Sequence, residues 1–544
     1  MSRPSDHHET PPPPKGEGIT QPSLGIVGYL RFFWRQLTSM RTALVLLLLL
    51  ALAAIPGSLV PQRSSDPNGV TTYYQDHPDL APVLDDLQLF DVFGSVWFSA
   101  IYLLLFVSLI GCVVPRTLHH LKALRTPPPK TPARLSRLEA YRSSSVEGAD
   151  AASAMESART LLRKAGYRVR MFERAGELSV SAERGYLRET GNLVFHTALI
   201  GVLVSVGIGG GFAYNGQKVV VEGGPFVNVL NDYDTFSPGR FFDEGALPPY
   251  RLIVDDFDAT YETENVNAFG FASGFRADVT VHEEGREAYE AQVRVNDPLN
   301  IMGLDTYLTG NGYAPHLTVT DADGNIAFTG AVPFLPQDAN LTSLGIVKVP
   351  DALPEQIGMR GFFYPTAAEL ESGALTSTFP DLLNPVLTLN VYTGDLGIDD
   401  GTPRSVYSLN IEEMTEIVGG DSGVDAIRLQ PGESYDLPGG RGTVTFDSMA
   451  EVSPDGESVL RFASLDVHYD PSAGWVLLFV VLVIAGLITG LFVPRRRVWV
   501  KAVEESGGIR LEYAGLARGD DPGLDRAVGD LAERHAQSLR VRLD

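Results

Sequence analysis

A chain of 544 residues carrying 36 Pro and 55 Gly has room for several domains and many turns, and its formal net charge of −24 argues against nucleic acid as a partner. The single cysteine, Cys112, excludes an intramolecular disulfide, a CxxC redox pair, a cysteine-based zinc site and the two-thiol attachment of a c-type haem within this chain. Mean hydropathy near zero hides two populations, four strongly apolar runs and a very polar remainder, so a wholly soluble chain is excluded as well.

Residues 1–24, with Pro11 to Pro14, read as a disordered tail. It is too long for a secretory signal, and no small-residue cleavage pattern follows the first apolar run. Residues 25–41 mix aromatics with Arg31 and Arg35, the pattern of a helix lying in a membrane interface. The first span is expected over 42–60 and the second over 96–114, with Trp97 at its entrance and a loop, 61–95, between them. Cys112, inside the second run, reads as a small buried hydrophobe. Arg116, Lys122, Arg125, Lys130, Arg134 and Arg137 follow at once, so the positive-inside rule places the tail and this segment in the cytoplasm and the 61–95 loop outside.

Segment 115–190 begins with a Pro-rich linker and continues as a small α/β module. A strand is expected over Leu138 to Val146, a helix over Ala149 to Ala165, and a hairpin from Tyr167 to Glu173 and Glu177 to Glu183. About 45 residues make a marginal core, which needs a neighbour. The third span is expected over 191–212. Residues 213–472 hold about 41 acidic and about 12 basic residues, an excess suited to solubility, in short alternating runs between turns. These include Lys218 to Val221, Arg251 to Val254, Ala277 to His282, Ala291 to Val295, His316 to Thr320, Val386 to Val391 and Gly442 to Phe446, with some helix between Thr366 and Ser372. The pattern is that of an antiparallel β sandwich or open barrel in up to two subdomains. The fourth span, 474–493, ends at Arg495, Arg496 and Arg497, and 494–544 is read as a cytoplasmic tail with a short strand and a loosely attached polar helix from about Gly523 to Leu539. The expected fold class is therefore an α-helical transmembrane protein of four spans, with a large extracytoplasmic mainly-β domain and a small cytoplasmic α/β module.

One ionisable group stands inside an apolar run. His196 lies about a turn and a half into the third span, where an imidazole is costly enough to need a reason. Thr197, Gly201 and Ser205 make a small-residue stripe beside it, and Gly207/Gly211 and Gly486/Gly490 are GxxxG pairs that let helices approach. The residues alone leave three roles open for His196: a packing hydrogen bond, a proton relay, or a neutral imidazole on iron. The adjacent His119 and His120 would point about 100° apart on a helix and chelate poorly. His77, His282, His316 and His468 are scattered, and no serine elbow, P-loop, HExxH or EF-hand pattern occurs.

Several local patterns, in order, carry a resemblance covering about Gly28 to Lys501. They are Gly57-Ser58-Leu59-Val60-Pro61-Gln62 after the first span; Leu89-Phe90-Asp91-Val92-Phe93-Gly94-Ser95-Val96-Trp97-Phe98 at the entrance to the second; and Cys112 to Arg116 at its exit. His196 follows a glycine at the start of the third span, Val295-Asn296-Asp297-Pro298-Leu299 precedes Gly303 and Tyr307, and Leu491 to Val500 reads LFVPRRRVWV. With four spans and one large external domain, the chain resembles the ResB family of System II cytochrome c biogenesis. It departs from the family pattern at Ser58, where Thr is usual, and over Asn300 to Leu308.

The resemblance implies a membrane subunit that works with a ResC (CcsA-type) protein to export haem and present it to apocytochrome c. It implies His196 as an axial ligand to the iron of a transient haem b shared with that partner, with Arg184 or Arg188 either meeting propionates or serving as topological anchors. It implies a thioredoxin-like reductant for the substrate thiols, which one cysteine cannot supply, and a multi-pass location in a bacterial plasma membrane with both termini cytoplasmic. The chain would be at most a subunit of a cytochrome c synthase. A scaffold that binds apocytochrome or a partner through its β domain without touching haem is the alternative.

Overall fold

Leucine-rich runs without charge can satisfy their backbone in hydrocarbon only within themselves, and they fold as helices. The computed structural model describes residues 25–543 apart from 175, 266, 399–405, 412, 413, 452, 454, 455, 506 and 507, so the tail expected over 1–24 lies outside the described residues. Among the described residues four helices are long and apolar enough to cross a membrane, Met40–Leu59, Val96–Arg125, Leu187–Phe212 and Ala473–Phe492. The chain is a membrane protein. Its described residues divide into two compact units, one built of 25–60, Pro82–Ser205 and 474–543, the other of Pro61–Ala81 and Val206–Ala473.

In the first unit, helix Ile26–Leu37 leaves Ile26, Leu30, Phe33 and Trp34 exposed and turns at Thr38 into the first span. Ser39 caps that span by accepting from the Thr42 amide at 3.2 Å. The second span supplies what the turn lacks: the Ser108 hydroxyl donates to the Leu37 carbonyl at 2.6 Å and the Cys112 thiol to the Thr38 carbonyl at 2.9 Å. A Cβ on Gly111 would lie 2.1 Å from the Thr38 methyl, so glycine lets the two backbones meet. Cys112 is thus a donor to a helix-terminal carbonyl as well as a packing group. At the entrance to the second span, Phe90 and Val92 are buried, Ser95 accepts from the Phe98 amide at 3.2 Å, and the Trp97 indole donates to the Leu87 carbonyl at 3.0 Å. The helix does not stop near 114 but continues through Pro115 to Arg125, which carries His119 and His120 on its last turns.

The α/β module is larger than the expected segment. Its strands are Ala140–Glu147, Gly508–Ala517, Arg496–Glu505, Glu177–Arg184 and Arg168–Arg174 in spatial order, all antiparallel. Helices Ala151–Lys164 and Leu524–Leu543 pack on it, burying Met155, Leu162, Val180, Val500, Leu511, Tyr513 and Val528 in one core. The C-terminal residues expected as a loose tail therefore fill the centre of the sheet, and they are the neighbour the marginal module needs. His535 is fully buried; its Nε2 donates to the Ala154 carbonyl at 2.9 Å and its Nδ1 accepts from the Tyr513 hydroxyl at 2.8 Å, while burial lowers its pKa.

The second unit is mainly β, with pairings among its named strands all antiparallel. Its two cores match the expectation of two subdomains. One holds Tyr214, Phe226, Leu252, Phe257, Val279 and Leu465, the other Tyr313, Phe334, Val347, Phe363, Leu387 and Phe446. The long strand Leu304–Ala314 serves both, through Leu304 and Leu308 on one side of a bulge and Tyr313 on the other. The helix expected between Thr366 and Ser372 is instead a short strand, Ala367–Glu369, paired with Leu375–Ser377. Local helix propensity there gives way to a ladder partner eight residues on.

Candidate functional site

The third and fourth spans are flanked by paired strands at each end. Before the third span, Arg184 lies opposite Arg496, just beyond the fourth; after the third span, Tyr214 lies opposite Tyr469, just before the fourth. Between those pairings the helices touch through backbone. A Cβ on Gly191 would lie 2.8 Å from the Gly486 carbonyl oxygen and the Gly490 nitrogen, and one on Gly486 would lie 2.5 Å from the Phe195 nitrogen. Gly201 is packed under the Phe479 ring, and Ser205 is buried. The Gly486/Gly490 pair thus meets the start of the third span, at Gly191, Asn192 and Phe195, whereas Gly201 of the small-residue stripe meets Phe479 instead.

His196 is one residue past this contact line and half-buried, with its ring edge-on to Phe195 at 4.9 Å. Its Nδ1 lies 2.7 Å from the Asn192 carbonyl oxygen, one turn back. A carbonyl only accepts, so Nδ1 carries a proton here, and Nε2 is the nitrogen that offers a lone pair when the ring is neutral. A ring held in this way could offer Nε2 to a metal, and the Nδ1 bond fixes the ring about its χ angles. The remaining described histidines do not join it. Tyr73 packs on His77, His282 meets Arg251, His316 pairs with Asp447 at 2.9 Å and His468 with Asp466 at 3.0 Å. Among the described residues no group of three His, Cys, Asp or Glu side chains is placed to hold a metal ion.

At the arginine-bearing ends of the spans lies a charge network that sequence reasoning missed. Buried His120 lies 3.3 Å from Glu189 through Nδ1 and 3.1 Å from the Thr190 hydroxyl through Nε2. Glu189 also pairs with Arg495 and Arg518. Arg495, itself buried, donates to Glu183 at 2.7 and 3.0 Å and lies over the Tyr186 ring. Arg497 and Tyr186 complete the Glu183 carboxylate at 3.1 and 2.7 Å. Burial alone would raise the Glu183 pKa, but the bonds from Tyr186 and Arg495 and the charge of Arg497 outweigh it and hold the group below its usual range. The one signal for this cluster was the RRR run; its partners lie some 300 residues away in the chain.

Beside the network a cavity of about 750 Å³ is lined by Arg116, His119, Arg188, Arg518, Phe195 and Leu487, among others. Arg188 lines it and donates to the Arg518 carbonyl, whereas Arg184 turns into the module, donating to Ala165 at 3.2 Å and lying over Tyr167. Thus only one of the two arginines singled out from sequence stands near the histidine helix's cavity.

Comparison with known proteins agrees with this architecture. Proteins named "Cytochrome c biogenesis protein CcsB" are similar to this chain. The one from Synechococcus sp. (strain WH7803) is 26% identical over 280 residues, 50% of this chain and 58% of its own length. Those from Microcystis aeruginosa and Prochlorococcus marinus are 26% and 28% identical over 293 and 282 residues, covering 52% and 50% of this chain and 61% and 59% of their own lengths. The chain thus spans less than two thirds of the length of these relatives. The profile of the ResB-like family matches residues 40–529, all four spans and the β region included, and the chain belongs to that family.

Proposed function

We propose that this chain is a membrane subunit of the System II cytochrome c maturation machinery. It acts with a ResC/CcsA-type partner to carry haem outward through a bacterial plasma membrane and present it with apocytochrome c for thioether attachment. Haem is cargo here, and His196 is its axial ligand from this chain. The observation that carries the reading is the His196 tautomer: the bond to the Asn192 carbonyl leaves Nε2 free to bind iron, on a helix made close-packed by glycine rather than by the histidine itself. A packing role would use the polar nitrogens against a neighbouring helix, whereas here Nδ1 is satisfied within its own turn. The basic residues after the second and fourth spans support a cytoplasmic α/β module, cytoplasmic termini and an external β domain. A thioredoxin-like protein keeps the apocytochrome thiols reduced, because this chain holds a single cysteine.

The test is the visible spectrum of the complex purified from a host without its own maturation system. His196→Ala removes the Soret band that co-purifies with the complex and abolishes c-type cytochrome formation, and His196→Ala with added imidazole recovers part of the band. Unchanged cytochrome c and unchanged haem in His196→Ala refute the ligand role and leave the scaffold reading, in which only loss of the β domain disrupts assembly.

A further inference from the structure

The cavity at the arginine-bearing ends of the second, third and fourth spans has two chemically distinct parts. One is apolar: Leu193, Phe195, Leu487 and Leu491, with Gly486 and Gly490 keeping the fourth span's surface low. Leu487 and Leu491 are exposed, so this part opens onto the surface that faces lipid in a spanning helix. The other part is cationic, with Arg116, Arg188 and Arg518 against the single carboxylate of Glu189, which is already held by Arg495 and Arg518. Among the described residues Arg116 forms no ion pair; its guanidinium approaches Met40 Sδ at 4.0 Å. Gly519, at φ +87°, makes room for Arg188: a Cβ there would lie 3.0 Å from the guanidinium. A cationic rim over an apolar groove, at the level where apolar helix gives way to arginine, matches a molecule with an anionic head and an apolar tail.

We infer that this cavity binds an anionic phospholipid, its phosphate on Arg116, Arg188 and Arg518 and an acyl chain along Leu487 and Leu491. Of the two imidazoles in the wall, His120 has both ring nitrogens engaged by Glu189 and Thr190, and His119 stands at the exposed rim. That leaves the wall one exposed imidazole against three guanidiniums, a donor set suited to a phosphate diester, which needs only the guanidiniums, rather than to iron. The site joins three spans to the α/β module through Arg518, so an occupying lipid holds these elements together.

The full-length protein in a neutral detergent is titrated with phosphatidylglycerol, phosphatidylcholine, inorganic phosphate and haemin, reading melting temperature and adducts retained in native mass spectrometry. Phosphatidylglycerol raises the melting temperature and stays bound; phosphatidylcholine and inorganic phosphate do neither. Arg116→Gln, at an exposed position that folding tolerates, weakens phosphatidylglycerol binding about fivefold, as expected for one arginine near a headgroup. Arg134→Gln, outside the cavity, leaves binding unchanged. Equal protection by phosphatidylcholine, full protection by inorganic phosphate alone, or an Arg116→Gln protein that binds phosphatidylglycerol normally overturns the assignment. Haemin that displaces phosphatidylglycerol, with its own binding weakened by Arg116→Gln, also overturns it. The His196→Ala spectrum is independent of all four arms, so failure here leaves the haem reading standing.

Discussion

Replacing Glu183 by Gln should be the most damaging single polar change in the helix-and-module unit. The carboxylate is 2% exposed and accepts two bonds from Arg495, one from Arg497 and one from Tyr186. The amide keeps the shape but loses the charge, and it can accept at one end only. Arg495, 7% exposed, then keeps Glu189 as its one carboxylate. Breaking a buried pair from one side costs about 3–5 kcal/mol, and the surviving Glu189 contact places this case at the lower end, about 3 kcal/mol. In a unit of this size that lowers the melting temperature by roughly 6–12 °C. Scanning calorimetry of the detergent-solubilised protein measures it, and a double-mutant cycle with Arg495→Met isolates the pair: the double variant should be more stable than Glu183→Gln alone, because no uncompensated guanidinium remains. A shift under 2 °C, or a double variant that loses the sum of the two singles, refutes the view that this network holds the strands on either side of the spans.

Gly486→Ala should splay the third and fourth spans, at a cost of about 1–3 kcal/mol, because its Cβ would meet the Phe195 nitrogen at 2.5 Å; Gly490→Ala, with its nearest neighbour at 3.6 Å, should be neutral. Cross-linking between cysteines introduced at the helix faces reads the difference. Stability of the α/β module should fall as pH drops below about 6.5: burial lowers the folded pKa of His535, so the unfolded chain takes up a proton there first and unfolding is favoured progressively on acidification. His535→Gln should flatten that part of the pH profile in circular dichroism melts. Cys112→Ser should keep stability within about 0.5 kcal/mol, since a hydroxyl can also donate to the Thr38 carbonyl, while Cys112→Val should cost about 1 kcal/mol by orphaning that carbonyl.

What could be read from the chain beforehand divides along the range of the interactions. The spans are local and apolar, so length and hydropathy suffice; so do strands such as His316–Thr320, whose alternation is self-contained. The second span reads as ending at Val114, directly before Arg116, yet the helix itself runs on to Arg125, and the one bond to Gly111 that Pro115 cannot make is tolerated within it. The central place of Arg496–Glu505 and Gly508–Ala517 in the module depends on pairing with residues some 320 to 370 positions earlier, for which no periodicity speaks. His120 was passed over because adjacent histidines look like poor chelators; that geometry is right, and it is why one faces solvent while the other meets Glu189 and Thr190. His196 was legible as an ionisable group in an apolar run, but its tautomer required the Asn192 carbonyl in space.

The paired strands at the arginine-bearing ends of the third and fourth spans limit how these two helices can move there. Joined to neighbouring strands of one sheet, and with their backbones in contact at Gly191 and Gly486, they cannot slide or rotate past one another at that end without breaking the ladder between Glu177–Arg184 and Arg496–Glu505. At that end they move as one body. Any displacement within the helix-and-module unit has to come from the contacts that surround the pair.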